Sequence, residues 1–356
     1  MPLKLATAVA ACCVLLGGFL VAAPAAAVDI RCSDVDLPVT GPLGEPATVH
    51  GRFCLPDGPA PGAVQLLVHG GTYNSAYWDL PYDPDRYSYQ RDMAKHGYAT
   101  FAADQLGSGG SSKPLSLPLL LPALARSMHE VVGHLRAGRV GGTPFEKVVI
   151  VGHSVGSGIV AAEASTYQDV DGVILTGMTH LPSVPALTLG VLFGLQPAFM
   201  DDRLGSLGSD PLYFVTKPGA RAWLFYATEN TDPGVIEADE ATKDQVSVPG
   251  MGTVAVFGIV LPATKAIRVP VLQAVGEKDI LFCGLFALRD CSSGETLRPA
   301  EAPYYGPEAE LSTYVLPGAG HSLALHRNAS LYRDATREWM RDKVGVALPQ
   351  GYHPIG

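Results

Sequence analysis

The 356-residue chain carries 25 Lys and Arg against 34 Asp and Glu, a formal net charge of −9. That acidic balance argues against a polyanionic partner such as nucleic acid. The length is enough for one large domain with a substantial insertion, so two independent domains are not required.

The first residues, MPLKLATAVAACCVLLGGFLVAAPAAA, pair Lys4 with an apolar run, then Pro24 and the small triplet Ala25-Ala26-Ala27. This pattern predicts a secretory signal peptide over 1–27, cut after Ala27. The run is short and Pro24 interrupts it, which disfavours a membrane anchor and leaves no integral span after cleavage. Val9-Ala10-Ala11-Cys12 only loosely resembles a lipoprotein box, since too few apolar residues precede Cys12. Cleavage removes Lys4 and no other charged residue, so the exported chain is one unit more acidic.

Cleavage also removes Cys12 and Cys13 and leaves Cys32, Cys54, Cys283 and Cys291. An even count in an exported chain predicts two disulfides. Loop closure favours partners near in sequence, hence Cys32 with Cys54 and Cys283 with Cys291. No CxxC pair or close His/Cys cluster is present, so no metal site is expected.

The remaining elements alternate. Residues 47–54 predict an antiparallel strand at the start of a sheet. Short apolar or β-branched runs at 63–69, 98–103, 147–152, 172–177, 269–276 and 312–318 predict buried strands. Between them, helical spacing marks 87–96, 156–167, 329–343 and, most clearly, 122–137, where Leu124, Met128, Val131, Val132 and Leu135 recur and Gly138 can end the helix. Strands joined through helices pair in parallel by right-handed crossovers. The expected fold is an α/β class, mostly parallel central sheet with helices on both faces.

The alternation fails over 179–270, where only a helix near 219–226 stands out. Two readings fit: a cap or lid over the carboxyl ends of the strands, dividing the core into 28–178 and 271–356, or extra helices without a gating role. The aromatics of this span, Phe193, Phe199, Tyr213, Phe214, Trp223, Phe225 and Tyr226, are candidates for lining an apolar pocket or for joining the span to the sheet. No clear amphipathic stripe marks a lipid-interface segment.

Gly152-His153-Ser154-Val155-Gly156 fits G-x-S-x-G between the strand KVVIV and the helix-compatible SGIVAAEAST. A serine on such a tight turn has its hydroxyl pushed out above the sheet, and the glycines prevent clashes. Serine needs a base to become a good nucleophile. His321, in LPGAGHSLALH just after the last predicted strand, is the candidate, with His326 the fallback; His96, His129 and His134 lie in helical patterns and read as structural or solvated. The base needs an orienting carboxylate. Asp279, after the strand VPVLQAVG, is the candidate and Glu277 the alternative. For an oxyanion, the Val155 amide is one expected donor; the turn His69-Gly70-Gly71-Thr72 supplies the other, Gly71 first and Thr72 second.

The motifs LVHGG, FAADQLGSGGSS, VGHSVG, VGEKD and PGAGH, in that order, give a chain that resembles the α/β-hydrolase superfamily. The resemblance runs from about residue 63 to 339 and is to the lidded branch of esterases, lipases, lactonases and peroxidase-like members. It implies a Ser154–Asp279–His321 triad, and it implies that Asp104 and the glycines after it shape a turn. Serine at the elbow separates the chain from epoxide hydrolases and haloalkane dehalogenases, which carry a carboxylate there. Its HGG is shorter than the HGGG of one esterase branch. The expected function is a secreted serine esterase acting on small-molecule esters, with a lactone or polyketide-type ester as the alternative substrate and a catalytically silent binding protein as the alternative class. No metal or organic cofactor is needed for this chemistry, and oligomeric state is not readable.

Overall fold

The computed structural model describes residues 29–58, 61–207, 210–261 and 263–346. The expected signal peptide and its cleavage point lie outside them.

The strands are β1 (Ile30–Thr40), β2 (Pro46–Pro56), β3 (Ala63–Val68), β4 (Ala99–Ala103), β5 (Lys147–His153), β6 (Gly172–Thr176), β7 (Leu195–Pro197), β8 (Tyr213–Thr216), β9 (Val246–Ser247), β10 (Val271–Gly276) and β11 (Ser312–Leu316). Eight of them form one sheet in the order β1-β2-β4-β3-β5-β6-β10-β11. From β4 to β11 all neighbours run parallel, whereas β2 is antiparallel to both β1 and β4. The sequence dictates this burial: β3, β4, β6 and β10 are buried at every position, as strands covered on both faces must be.

Helix Leu121–Arg136 packs against helix Val155–Tyr167, and helix Tyr89–Lys95 against Ala329–Trp339. Strand and helix limits agree with the sequence reading to within a few residues. Two elements were not expected. β1 carries charges and a proline on a half-exposed edge, which hides its alternation, yet it pairs with β2 along its full length. Helix Gly294–Glu301 contains Pro299 and starts from a capping box of Ser293 and Thr296. The disulfides join Cys32 to Cys54, directly opposite each other in the β1–β2 ladder, and Cys283 to Cys291.

Between β6 and β10 the chain forms helices Val184–Leu189, Ala220–Phe225, Pro233–Thr242 and Val248–Thr253 with an antiparallel sheet β7-β8-β9. These three strands have between two and four residues each, too few for a period to emerge from sequence. The segment after Val248–Thr253 lies against helix Val155–Tyr167 at a glycine crossing, where a Cβ on Gly258 would stand 2.7 Å from the Gly158 carbonyl. This contact holds the 254–260 segment against the helix that follows β5.

Candidate active site

β5 ends at His153 and the helix starts at Val155, so Ser154 makes the whole turn. Its φ of 54° and ψ of −118° place a non-glycine residue in strained backbone. Close packing over-determines that strain: a Cβ on Gly152 would lie 2.5 Å from the Ser157 Cα, and one on Gly156 2.4 Å from the Val68 and His69 carbonyls. Both glycines of the motif are therefore steric necessities. The Ser154 amide donates to the Thr176 carbonyl at 2.8 Å, which ties the turn to β6. Ser154 itself is only half-buried.

His321 and Asp279 come together from loops after β11 and β10. His321 Nδ1 donates to Asp279 Oδ2 at 2.8 Å, and Asp279 Oδ1 accepts from the Leu281 amide at 2.9 Å. Both side chains are buried. A carboxylate only accepts, so the Nδ1 proton is fixed and Nε2 keeps its lone pair. The imidazole is held between Phe282, stacked at 5.7 Å between ring centres, and Phe225 at 5.5 Å. It faces the serine turn across Gly177, where an added Cβ would lie 3.1 Å from His321 Cε1 and 2.9 Å from His153 Cε1. Among the described residues Ser154 Oγ and His321 Nε2 make no hydrogen bond, which leaves both free to engage a substrate.

The alternatives are placed elsewhere. His326 Nδ1 donates to the Ser322 carbonyl while Nε2 accepts from the Gly320 and Ala227 amides. Burial pulls it down to about 4. It shapes the loop around His321 and has no lone pair left for a proton. Glu277 accepts from the Gly318 amide and pairs with Lys278. His153, next to Ser154, is stacked 4.3 Å from Tyr77 and is held well below the usual histidine range by burial, then by His321 and Arg221. Asp104 accepts from the Ser75 and Gly110 amides, in line with its reading as a turn former.

The turn after β3 is fixed from two sides. Buried His69, lowered in pKa by desolvation, donates from Nδ1 to the Gly70 carbonyl at 2.8 Å and accepts at Nε2 from the Gln105 amide at 3.0 Å. The Gly70 carbonyl and the Gly71 N–H share one planar trans peptide, so pinning the first turns the second the opposite way. Thr72 follows with φ 64°, unusual for a β-branched residue. Its carbonyl accepts from the Asp244 amide at 2.9 Å and from Arg221 Nη1 at 3.0 Å. Gly71 and Val155 both border the cavity above Ser154, and neither amide has a protein acceptor among the described residues.

Arg221 is the residue that sequence reasoning missed. It is fully buried, forms a two-point pair with Asp239 at 2.8 Å for each bond, and lies 3.9 Å over the Tyr73 ring. Tyr226 also donates to Asp239, and Tyr73 bonds Ser322 Oγ at 2.7 Å, next to His321. One network from the intervening segment thus reaches both the Gly71 turn and the His321 loop.

The cavity is lined by apolar side chains, including Leu187, Val191, Leu195, Leu224, Met251 and Ile259, with Ser154 and Val155 at its floor. Of the seven aromatics considered from sequence, Phe225 borders it. Tyr213 and Tyr226 are instead buried on polar partners, and Phe193, Phe199 and Trp223 are exposed. Phe282, which was not singled out, is the second aromatic of the lining. Away from this cavity, His129, Glu163 and Asp169 place ligand-type atoms within 4.8 Å of one another. Burial and then Asp169 push Glu163 up to about 10, so a cation placed there would first have to displace its proton.

Comparisons with known proteins agree with this architecture. The family model described as the alpha/beta hydrolase family matches residues 65–335. No curated protein matches. Among solved structures, a thermophilic esterase from Thermogutta terrifontis superposes with a TM-score of 0.57 at 20% identity, covering 87% of this chain and 98% of the esterase. The E-2-(acetamidomethylene)succinate hydrolase gives 0.57 at 20% identity over 86% and 99%. An enol-lactonase from Burkholderia xenovorans LB400 gives 0.55 at 14% identity over 83% and 97%. At such identities the likeness concerns the fold. With a family match across most of its length and the sheet, elbow and loops described above, this chain belongs to the alpha/beta hydrolase family.

Proposed function

We propose that the chain is a serine hydrolase of carboxylic esters with an apolar acyl group, using Ser154, His321 and Asp279. The observation that carries this reading is the His321–Asp279 bond, which keeps the Nε2 lone pair free on a ring 4.8 Å from that of His153, the residue before a serine held in a strained turn. Ser154 Oγ attacks the ester carbonyl carbon as His321 Nε2 takes its proton, and Asp279 stabilises the resulting imidazolium. The carbonyl oxygen becomes an oxyanion held by the Val155 and Gly71 amides. The tetrahedral species collapses, the carbon–oxygen bond to the alcohol breaks, and His321 returns the proton to the departing oxygen. Water then adds to the acyl-enzyme with His321 as base, and collapse frees the acid and Ser154.

The apolar lining supports an apolar acyl chain. A lactone meets the same machinery, with the alcohol remaining attached to the acid. We also propose that 179–270 acts as a cap over 28–178 and 271–356, because its residues form most of the cavity wall. Two disulfides support an exported chain, with 1–27 as its leader. Among the described residues no helix is long and apolar enough to cross a membrane. The test is turnover of p-nitrophenyl esters of rising acyl length, aryl esters and lactones, comparing the parent protein with Ser154→Ala. Activity retained without Ser154 overturns the reading, and parent protein without activity or active-site labelling favours a binding protein.

A further inference from the structure

The molecule exposes a set of large apolar side chains that the catalytic reading does not use. No Asp, Glu, Lys or Arg occurs between Asp171 and Asp201, nor between Asp244 and Lys265. In the fold these two uncharged runs supply the segments that flank the cavity. Helix Val184–Leu189 runs on into 190–194, and helix Val248–Thr253 into 254–260. Each segment is apolar on two faces. Inward, Leu187 and Val191 on one and Met251 and Ile259 on the other line the cavity. Outward, Leu192, Phe193 and Phe257 are 61%, 64% and 55% exposed. A third side comes from the loop after Asp279, where Leu285 and Phe286 are exposed and their segment touches helix Val184–Leu189.

Single exposed leucines are ordinary, but several large exposed apolar side chains on the segments that flank one cavity mark an interaction surface. These side chains neighbour in sequence residues that line the cavity bordered by Ser154, so whatever covers them lies beside that cavity. A folded protein seated there would obstruct substrate entry, and it would find few of the polar rim groups that protein interfaces use. A lipid surface instead meets an apolar rim with acyl chains, which match the lining. The chain is acidic, so an anionic surface would repel it, and an uncharged rim offers no ion pair to compensate.

We propose that this rim docks the protein on a neutral or zwitterionic lipid surface, with Leu192, Phe193 and Phe257 entering the headgroup boundary and the cavity mouth opening onto the acyl region. The proposal rests on the ester-hydrolase reading for its purpose but is tested apart from it. The lipid surface is then the source from which apolar acyl esters reach Ser154. In the sequence no clear amphipathic stripe marks a lipid-interface segment. The outward face could not be read there, because inward and outward faces of these segments are equally apolar.

The experiment is co-sedimentation of Ser154→Ala protein with phosphatidylcholine vesicles, in low and high salt, beside the same protein carrying Leu192→Ser, Phe193→Ser and Phe257→Ser. The expected result is salt-insensitive binding that falls by at least about tenfold in the triple variant. The triple substitution in the Ser154-intact protein should hydrolyse soluble p-nitrophenyl acetate, without vesicles, as fast as the parent, which shows that it folds. No binding to phosphatidylcholine, binding only to phosphatidylglycerol vesicles at low salt, or equal binding by the triple variant overturns the proposal. A dimer that the triple variant dissociates, without vesicle binding, also overturns it. Failure of ester turnover by the parent protein would remove the hydrolase reading; an unchanged near-UV circular dichroism spectrum then shows that the triple variant folds, and the binding result stands.

Discussion

Arg221 donates a 3.0 Å hydrogen bond to the backbone carbonyl of Thr72, the residue that follows the expected oxyanion donor Gly71. The bond helps to keep Thr72 in left-handed backbone, and the charge that makes it is neutralised by Asp239 in the protein interior. On the proposed mechanism Arg221 is a positioning residue that acts through the Gly71 turn.

Arg221→Met alone should lower stability by about 3–5 kcal/mol, because Asp239 is left buried without its partner. Pairing it with Asp239→Asn removes the stranded charge and should restore most of the melting temperature. The double variant should still show kcat down by about tenfold to a hundredfold on a soluble ester, with KM little changed, as a displaced oxyanion donor would give. Unchanged kcat in the folded double variant would reduce Arg221 to a stabilising role.

Asp279→Asn keeps the shape of the acid and loses its charge and its control of the histidine tautomer. Turnover should fall by about ten-thousandfold. Glu277→Gln, by contrast, should leave kcat near the parent value, since Glu277 bonds Gly318 and Lys278 and not His321. Steady-state kinetics on one ester decides between the two carboxylates.

His326 gives a pH dependence of stability. Its native value of about 4 lies below the ordinary 6.5, so between these limits the native state binds fewer protons than the unfolded chain. Stability should thus rise with pH across that window and fall on acidification. In His326→Gln that slope should weaken, as read from urea midpoints at several pH values, because the amide oxygen still accepts a hydrogen bond but does not titrate.

Glu163 acts in the opposite sense. Its native value is raised from 4.5 to about 10, so the native state holds a proton that the unfolded chain has released. Stability should fall as pH rises through this range. Glu163→Gln removes that decline and should raise the melting temperature at pH 8 while leaving it nearly unchanged at pH 4.

Local pattern made much of this site legible. The glycines around Ser154 are needed because neighbouring backbone atoms approach within 2.5 Å of where a Cβ would be, and a strand–turn–helix pattern is enough to anticipate that. Asp279 and His321 could be located because each follows a strand, and parallel strands bring their carboxyl ends to one edge. Arg221 was illegible for the converse reason: its contact with Thr72 spans 149 residues of sequence, and nothing near Arg221 marks it. In the sequence His321 is preferred to His326 for its place just after the last strand; the contacts that set His326 apart, the Gly320 and Ala227 amides on its lone pair, are not legible there. Among the aromatics of 179–270, Phe225 borders the cavity and Tyr213 and Tyr226 are buried, whereas Phe193, Phe199 and Trp223 are exposed, because an inward apolar face cannot be told in sequence from an outward one.

The central claim is that Ser154 is the nucleophile, and intact-mass analysis after fluorophosphonate treatment tests it most directly. The parent protein should gain one adduct, mapped to Ser154, as its esterase activity disappears. Ser154→Ala, with an unchanged near-UV circular dichroism spectrum, should gain no adduct and lose turnover by at least about ten-thousandfold. Labelling or undiminished turnover in the folded Ser154→Ala protein would contradict it.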